Sequence, residues 1–258
     1  MSGQPARRAM SMVELIVVIA VLALLLGLLL PVLSVVSAAG RSAQCASNLR
    51  QMAIAAQLYA TIFDAWPPAI RYELVDGQLQ QHAWDWVSNL FGGQLLSPGP
   101  LWKFTDNPGH VMQCPVYFGT TNFADPFTGY DYNTTYIGDE ETLVLPHASG
   151  PVRKGVPPAR CRRTSSCAMF GDGGRAGGTH KFMRAPLNSE GQGLDMIYSG
   201  GQAFRHFRST NVAFVDGHTG SVDKPQPGEL ATGQLLEGSM DYPQNGFLSN
   251  DDDAYDPR

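Results

Sequence analysis

The chain has 258 residues, a formal net charge of −5, 28 glycines, 18 prolines and 4 cysteines. This length accommodates an anchor segment followed by one globular domain of about 200 residues with its own core. The acidic balance and the absence of a Lys/Arg stripe exclude a typical basic nucleic-acid-binding surface, so no nucleic-acid partner is expected.

An apolar run without a charged residue covers residues 15–33. As a helix it would rise about 28 Å, close to the hydrocarbon thickness of a bilayer, which is about 30 Å. Arg7 and Arg8 precede the run, and Glu14 stands at its head. Because a carboxylate at the edge of a membrane segment is costly when unpaired, Glu14 is predicted to have a partner.

The residues around this glutamate resemble the type III signal sequence of type IV prepilins and type II secretion pseudopilins. Ala9, Met10 and Glu14 match its small residue, first mature residue and conserved acidic position. In that family a membrane peptidase cuts after the small residue and methylates the new N-terminal amine. The resemblance implies a cut between Ala9 and Met10. It also implies an assembly role for Glu14, which would pair with the amine of a neighbouring subunit.

Two simpler interpretations of the N-terminal stretch stay open. Val36, Ser37 and Ala38 offer small residues ahead of Ala39, as in a secretory signal, and the run could also be an uncleaved anchor. The run is longer than the core of a typical secretory signal, which is about 7–15 residues. Glu14 also interrupts its beginning, which favours the prepilin interpretation.

The apolar pattern becomes one-sided beyond Gly40. Helical spacing relates Leu49, Met52, Ala56, Tyr59, Ala60 and Phe63. Trp66 and two following prolines end this pattern. The sequence therefore predicts one helix over residues 12–64, apolar on all sides in its first half and amphipathic in its second.

Turn signals divide the middle of the chain into short strands. The strands predicted in this way are 72–75 before Asp76-Gly77, 111–112, an exposed strand at 131–137, and 168–174. Two tryptophans in one short stretch, Trp84 and Trp86, favour core positions over an exposed binding face.

The four cysteines allow three pairings. Cys45 with Cys114, and Cys161 with Cys167, are the predicted disulfides, with free thiols as an alternative. A zinc site at Cys161, Cys167 and His180 is a further alternative, which the spacing does not favour.

A motif near the C-terminus consists of His206, nine further residues and then Asp216-Gly217. It predicts a hairpin with a strand at 211–215, a turn at Asp216-Gly217 and a return strand at 218–222. His206 is expected to fold back and form a hydrogen bond with Asp216. The functional alternative is a metal or catalytic cluster of His206, Asp216 and His218.

This motif strengthens the family resemblance. The anchor signature, Cys45-Ala46-Ser47-Asn48-Leu49 and His206-x9-Asp216-Gly217 occur in the order typical of prepilin-type proteins with a His-x9-Asp-Gly processing-associated domain. Shorter similarities are Cys114-Pro115, the segment 131–137 and the segment 168–174.

The acidic tail carries Asp251, Asp252 and Asp253. Calcium binds oxygen-rich loops, and major pseudopilins have a calcium site near the C-terminus, so these residues are weak calcium candidates. The cluster lacks the glycine and the ligand spacing of a recognisable calcium loop, which favours a solvated acidic tail.

These observations predict an α+β, pilin-like fold in which one long N-terminal helix packs on an antiparallel sheet with long loops. The predicted segments are a leader at 1–9, a helix at 10–64 and an exported β-rich domain at 65–258. No catalytic signature such as Gly-x-Ser-x-Gly or His-Glu-x-x-His is present, so the chain is not expected to be an enzyme. No metal or cofactor is expected apart from calcium.

The resemblance implies a structural subunit of a type II secretion or type IV pilus-like machine. Its expected partners are the prepilin peptidase/N-methyltransferase, other pilin-like subunits and the inner membrane, which it would cross once with the globular domain on the extracytoplasmic side. Two alternatives stay open. One is a non-polymerising envelope binding module that presents Trp84 and Trp86, and the other is an envelope hydrolase that uses His206 and Asp216.

Overall fold

The computed structural model describes residues 10–89, 91, 93–104, 111–119, 129–138, 140–144, 151–187, 200–231, 236 and 240–258. The chain divides into two compact units, Met1–Arg41 and Ser42–Arg258. Helix α1 (Met12–Phe63) contributes residues to both units. The second, globular unit, which contains the sheets, begins at Ser42, within the helix.

Helix α1 is continuous over 52 residues, as the sequence predicts. Ser11 and Glu14 cap its start reciprocally: the Ser11 N–H donates to Glu14 Oε2 at 2.7 Å, and the Glu14 N–H donates to Ser11 Oγ at 3.2 Å. This is a capping box, which satisfies two backbone N–H groups that have no partner inside the helix. The helix is long and apolar enough to cross a membrane.

The second half of α1 buries one face in the globular unit. Its buried residues are Cys45, Asn48, Leu49, Met52, Ala53, Ala55, Ala56 and Ala60. Small residues predominate on this face, so the helix backbone can lie close to the elements it covers. Two residues of the predicted apolar face behave differently, since Phe63 is exposed and Tyr59 is half-buried.

The described residues form thirteen strands in three sheets. They are β1 (Ile70–Val75), β2 (Gln78–Ala83), β3 (Trp86–Asn89), β4 (Leu95–Pro98), β5 (Tyr130–Asn133), β6 (Glu140–Val144), β7 (Pro151–Lys154), β8 (Ala168–Gly174), β9 (Phe182–Met183), β10 (Gly201–Ala203), β11 (Thr210–Phe214), β12 (Thr219–Val222) and β13 (Asn245–Gly246). Strands β1 to β4 form an antiparallel meander, and β6 pairs with β7. The other seven strands form one mixed sheet, in which the only parallel strand pair among the described residues is β5 with β9.

Strand β8 is the centre of the seven-stranded sheet. It pairs with β5 through Phe170–Asp172, with β11 through Ala168–Gly171, and with β10 through Gly173 and Gly174. All seven of its residues are buried. Strand β8 is hydrogen-bonded to neighbouring strands along its edges and is packed on both faces. Such a central strand favours apolar residues and allows glycine where neighbouring groups approach closely.

The strand predicted at 72–75 before Asp76-Gly77 is confirmed as part of β1. Strands β1 and β2 pair across Asp76 and Gly77, whose φ angles of 49° and 78° are both left-handed. Two left-handed residues are typical of the type I′ turn, whose twist matches that of paired strands. Two other predictions are wrong: Val111 and Met112 form no strand, and β5 is fully buried where an exposed strand is predicted at 131–137.

The C-terminal hairpin is also confirmed, with β11 and β12 joined through Asp216 and Gly217. Gly217 has a φ of 89°, and a Cβ there would lie 2.9 Å from Gln57 Nε2, so the turn needs glycine and packs against α1. Gln57 Nε2 donates to the Val215 carbonyl at 3.2 Å.

Candidate functional site

Four buried side chains from distant parts of the chain converge in the globular unit. They are Cys45, Cys114, Asp172 and His206, and their potential ligand atoms all lie within 4.8 Å of one another. No side chain in this group is more than 3% exposed. Polar groups buried together in this way are costly unless they satisfy one another or bind a ligand.

Cys45 lies on the buried face of α1, one helical turn before Asn48. Residues three apart share a helix face, so this spacing directs both side chains into the same region. Asn48 Nδ2 donates to the Gln113 carbonyl at 3.2 Å and to Tyr130 Oη at 3.2 Å. The asparagine thereby holds the segment that carries Cys114 against the helix.

Cys114 opens a turn that ends at Tyr117, whose N–H donates to the Cys114 carbonyl at 3.1 Å. Pro115 occupies the second position of this turn, where its restricted φ is favourable. A Cβ on Gly129 would lie 2.5 Å from Cys114 Cβ, so glycine allows the start of β5 to approach the cysteine closely.

Asp172 lies on β8 where pairing with β11 ends and pairing with β10 begins. Its Oδ2 accepts from the Asn211 N–H at 2.9 Å, which orients the carboxylate. Gly171 and Gly173 flank it, and a Cβ at either position would lie within 2.2 Å of Gln202 Oε1 or the His180 carbonyl oxygen, respectively. Gly173 therefore has no room for a side chain against the His180 backbone, whereas a side chain at Gly171 would displace the Gln202 amide.

His206 comes from the loop that joins β10 to β11. His206 and Ser209 exchange backbone hydrogen bonds of 3.0 and 2.9 Å around Phe207 and Arg208. Phe207 and Arg208 have φ angles of 54° and 67°, which are unfavourable for residues with a side chain. This strained tight turn holds the His206 ring in the gap where β10 and β11 separate, next to Asp172.

The four side chains contact one another directly. His206 Nε2 lies 3.2 Å from Asp172 Oδ2 and 3.8 Å from Cys114 Sγ, while Cys45 Sγ donates to Asp172 Oδ1 at 3.1 Å. The other ring nitrogen, His206 Nδ1, is buried without a hydrogen-bond partner in the described part of the chain.

These contacts shift the titration of the group. Burial opposes the charge of the His206 imidazolium, but the hydrogen bonds to Asp172 and Cys114 outweigh it and raise the pKa of His206 to about 9. The hydrogen bond with Cys45 lowers the pKa of Cys114 to about 6 against the effect of burial, and His206 adds to this shift. Burial raises the pKa of Cys45, so Cys114 is the thiol that ionises more readily.

The predicted contact between His206 and Asp216 is absent. Asp216 instead binds His218, with His218 Nδ1 2.6 Å from Asp216 Oδ1 at the solvent-exposed turn, whereas His206 is buried beside Asp172. The strand β11 separates the two ends of the motif, so His206, Asp216 and His218 do not form one cluster. His206 and Asp216, the residues of the hydrolase alternative, therefore have different partners.

The predicted disulfides are also absent, since all four cysteines are free. Cys45 and Cys114 do come together, but as thiols within the group described above. Cys161 Sγ accepts from Trp66 Nε1 at 3.3 Å, and Cys167 Sγ donates to the Tyr255 carbonyl at 3.0 Å, so each of these thiols has another partner.

The acidic tail is folded onto the domain, which corrects the prediction of a solvated tail. Asp252 accepts from the Leu187 N–H and the Tyr136 hydroxyl, and Asp253 pairs with Arg163 at 3.1 Å. Asp251 Oδ1 accepts from the Asp253 N–H at 3.1 Å, so each of the three weak calcium candidates already accepts at least one hydrogen bond from the protein.

The tryptophans lie largely inside the domain. Trp84 is 2% exposed, contacts the rings of Tyr132 and Phe170, and donates from Nε1 to the Lys181 carbonyl at 3.0 Å. Trp86 is half-buried. The core position predicted for Trp84 is confirmed, and the binding-module alternative loses its exposed aromatic face.

Sequence reasoning named all four members of the buried group but did not bring them together. Cys45, Cys114 and His206 were assigned to disulfides or to the hairpin, and Asp172 was only part of a predicted strand and turn. The available signal was the set of short family-like elements, because Cys45-x-x-Asn48, Cys114-Pro115, Gly171-Asp172-Gly173 and His206 each contribute one member.

Comparison with known proteins adds no assignment, since no protein-family model, no curated protein and no solved structure matches this chain.

Proposed function

We propose that this chain is a membrane-anchored, pilin-like structural subunit that assembles with copies of itself or related subunits. The machine would be of the type II secretion or type IV pilus class, at the inner membrane. One observation carries the proposal. Helix α1 is a single continuous helix whose first half is apolar and has no buried residue, and whose second half buries one face in the globular unit.

The exposed half needs an apolar partner outside the chain. Its large side chains between Met12 and Val36 are 48–81% exposed, and none of its residues is buried. Exposed apolar surface on this scale marks a membrane or protein contact. A bilayer supplies such surroundings before assembly, and neighbouring helices supply them in a filament.

Glu14 gives the apolar half a specific polar contact. In the single chain its Oε2 accepts from the Ser11 N–H at the helix cap, and no hydrogen bond joins Oε1 to a described residue. A neighbour's N-terminal amine, created by cleavage between Ala9 and Met10, would pair with this carboxylate in apolar surroundings. Leaving either charge unpaired there is costly, so the pair would set the register of adjacent subunits. Residues 1–9 lie outside the described part of the chain.

The capping box allows the charge of Glu14 to be separated from its role in the helix. Glu14→Gln removes the charge but keeps a side chain that can cap the helix, whereas Ser11→Ala removes the serine cap and keeps the charge. We expect Glu14→Gln to insert into the membrane normally and to lose assembly, and Ser11→Ala to retain assembly. Chemical cross-linking in native membranes, followed by separation of the oligomers, measures this directly.

Equal cross-linked ladders for Glu14→Gln and the wild type would exclude pairing by charge. A loss of assembly in Ser11→Ala that equals the loss in Glu14→Gln would assign the effect to helix capping instead.

The intact mass and N-terminal sequence of the native protein test the processing step. A methylated N-terminus at Met10 is expected. A start at Ala39 would establish a secretory signal and overturn the proposal, and a start at Met1 or Ser2 would establish an uncleaved anchor that does not assemble through a free amine at Met10.

A further inference from the structure

We propose that Cys45, Cys114, Asp172 and His206 bind one Zn²⁺ ion in a closed, tetrahedral structural site. The site would join helix α1, the turn at Cys114, the central strand β8 and the loop between β10 and β11. This inference does not depend on polymerisation, because it concerns the globular unit alone.

The spacing of the donor atoms fits a zinc tetrahedron. Zinc bonds of about 2.0–2.3 Å place the ligand atoms of a tetrahedron about 3.3–3.8 Å apart. The corresponding distances are 3.1 Å for Cys45 Sγ to Asp172 Oδ1, 3.2 Å for His206 Nε2 to Asp172 Oδ2, and 3.8 Å for Cys114 Sγ to His206 Nε2. The two contacts to Asp172 use different oxygens of its carboxylate, and all four potential ligand atoms lie within 4.8 Å of one another, so small adjustments of the side chains would complete a tetrahedron.

The chemistry of the donors selects among metals. Two thiolates, one imidazole and one carboxylate suit zinc, which accepts S, N and O ligands with four-fold coordination. Calcium and magnesium require six or more oxygen ligands, and this group offers a single carboxylate. Because four protein ligands fill the coordination sphere and all four residues are buried, the site would have no open position for a substrate, which is characteristic of a structural zinc.

Supporting contacts orient the ligands. The Asn211 N–H fixes the Asp172 carboxylate, and Asn48 ties the segment before Cys114 to the helix that carries Cys45. Such outer contacts normally hold metal ligands in place. With two thiolates and a carboxylate around Zn²⁺, the site would carry one negative charge. The Arg205 guanidinium donates to the Gly173 carbonyl, next to Asp172, so its positive charge would partly offset that of the site.

A disulfide between Cys45 and Cys114 is the competing outcome. It would require an S–S distance of about 2.05 Å and would remove both sulfur ligands. The buried His206 and Asp172 would then remain as a pair that shares no ligand with the two sulfur atoms. Zinc gives all four buried polar groups one common partner, which the disulfide does not.

The metal content of the purified protein tests the proposal. The full chain would be produced without a metal-binding tag in zinc-supplemented medium, extracted in detergent and measured by mass spectrometry of the elements. We expect about one zinc ion per chain in the wild type and a reduction of about tenfold or more in Cys45→Ser and Cys114→Ser. Cys161→Ser and Cys167→Ser serve as matched controls, because these cysteines lie outside the group, and both should keep the zinc.

Cobalt substitution tests the geometry in the wild-type chain, so it does not depend on whether the serine variants fold. Tetrahedral Co²⁺ with two thiolates should show strong visible absorption and thiolate charge-transfer bands in the near ultraviolet. An octahedral spectrum without thiolate bands, wild-type protein without bound zinc, or a Cys45–Cys114 disulfide-linked peptide under non-reducing conditions would each overturn the proposal.

Discussion

Both halves of helix α1 carry large apolar side chains, but their surroundings are opposite. Between Met12 and Arg41 the helix exposes its leucines, valines and isoleucines, and none of these described residues is buried. From Ser42 onward the same helix buries Leu49 and Met52 completely and carries Cys45 into a polar group. Apolar character alone therefore does not determine which residues of the helix are buried. A residue is buried where other elements of the chain pack against it.

The two halves of the helix therefore contribute differently to the stability of the globular unit. The second half contributes to the stability of the globular unit through packing, hydrogen bonds and a shared buried site. The first half contributes nothing comparable within the chain, so its apolar surface is available for lipid or for neighbouring helices. Substitutions that are chemically identical should therefore act differently in the two halves.

The largest contrast is expected from Leu49→Ala and Leu25→Ala. Leu49 is 0% exposed in the core, whereas Leu25 is 50% exposed. Leu49→Ala should lower the free energy of unfolding by about 2–5 kcal/mol, because it removes buried contacts and leaves a cavity. Leu25→Ala should leave the unfolding of the globular unit unchanged. Thermal unfolding in detergent, followed by near-ultraviolet circular dichroism, measures both, and equal effects would contradict the division at Arg41.

A pH effect confined to the globular unit should come next in size. The segment 15–40 contains no titratable side chain, whereas Asp131 in β5 is completely buried. Burial raises the pKa of Asp131 well above its usual range; the hydrogen bond from Gln202 and the Arg205 charge oppose this shift, and the Asp172 charge adds to it. The unfolded chain loses this proton near pH 3.9, so the stabilisation from Asp131 is complete below that pH and is lost as the pH rises toward the folded pKa.

Asp131→Asn should remove this loss. We expect the variant to gain stability relative to the wild type as the pH increases from about 4 to 8, as measured by urea unfolding at several pH values. A constant difference between the two proteins across this range would show that Asp131 does not titrate abnormally. The helicity of the first half of α1 should not change over the same range.

A smaller effect is expected where the helix contacts the C-terminal hairpin. Gln57→Ala removes the hydrogen bond to the Val215 carbonyl and should cost about 1 kcal/mol. Gln51→Ala is the matched control, because Gln51 is exposed and, within the described part of the chain, its side chain bonds only to the Ser47 carbonyl of its own helix. If urea unfolding gave the same midpoint for both variants, the hydrogen bond between Gln57 and Val215 would not contribute to the stability of the globular unit.

The smallest effect concerns the junction of the two halves. Gly40 lies inside the helix, and a Cβ there would meet no atom within 4 Å. Gly40→Ala should therefore stabilise the local helix by about 1 kcal/mol. Hydrogen exchange of the amides around residue 40 should slow, while the unfolding of the globular unit stays the same. Unchanged exchange would indicate that the junction is already as stable as a regular helix.

The long helix, the β1–β2 hairpin and the β11–β12 hairpin could be predicted from sequence because their signals are local. Apolar periodicity, Asp76-Gly77 and Asp216-Gly217 specify conformation over a few residues. The exposure of β5 and the fate of the acidic tail were predicted wrongly. Burial of β5 depends on β8 and β9, and the tail is held by Ala168, Arg163 and Leu187 from elsewhere in the chain.

The sequence by itself determined one continuous helix with a membrane-compatible first half, a β-rich domain after it, and the residue types available for chemistry. Tertiary structure alone decided which of those residues meet. His206 pairs with Asp172, 34 positions earlier, because the strands β10 and β11 separate at that aspartate. Cys45 and Cys114 join them because α1 lies across the same place. Long-range strand pairing and helix packing set these contacts, and neither leaves a local pattern in the sequence.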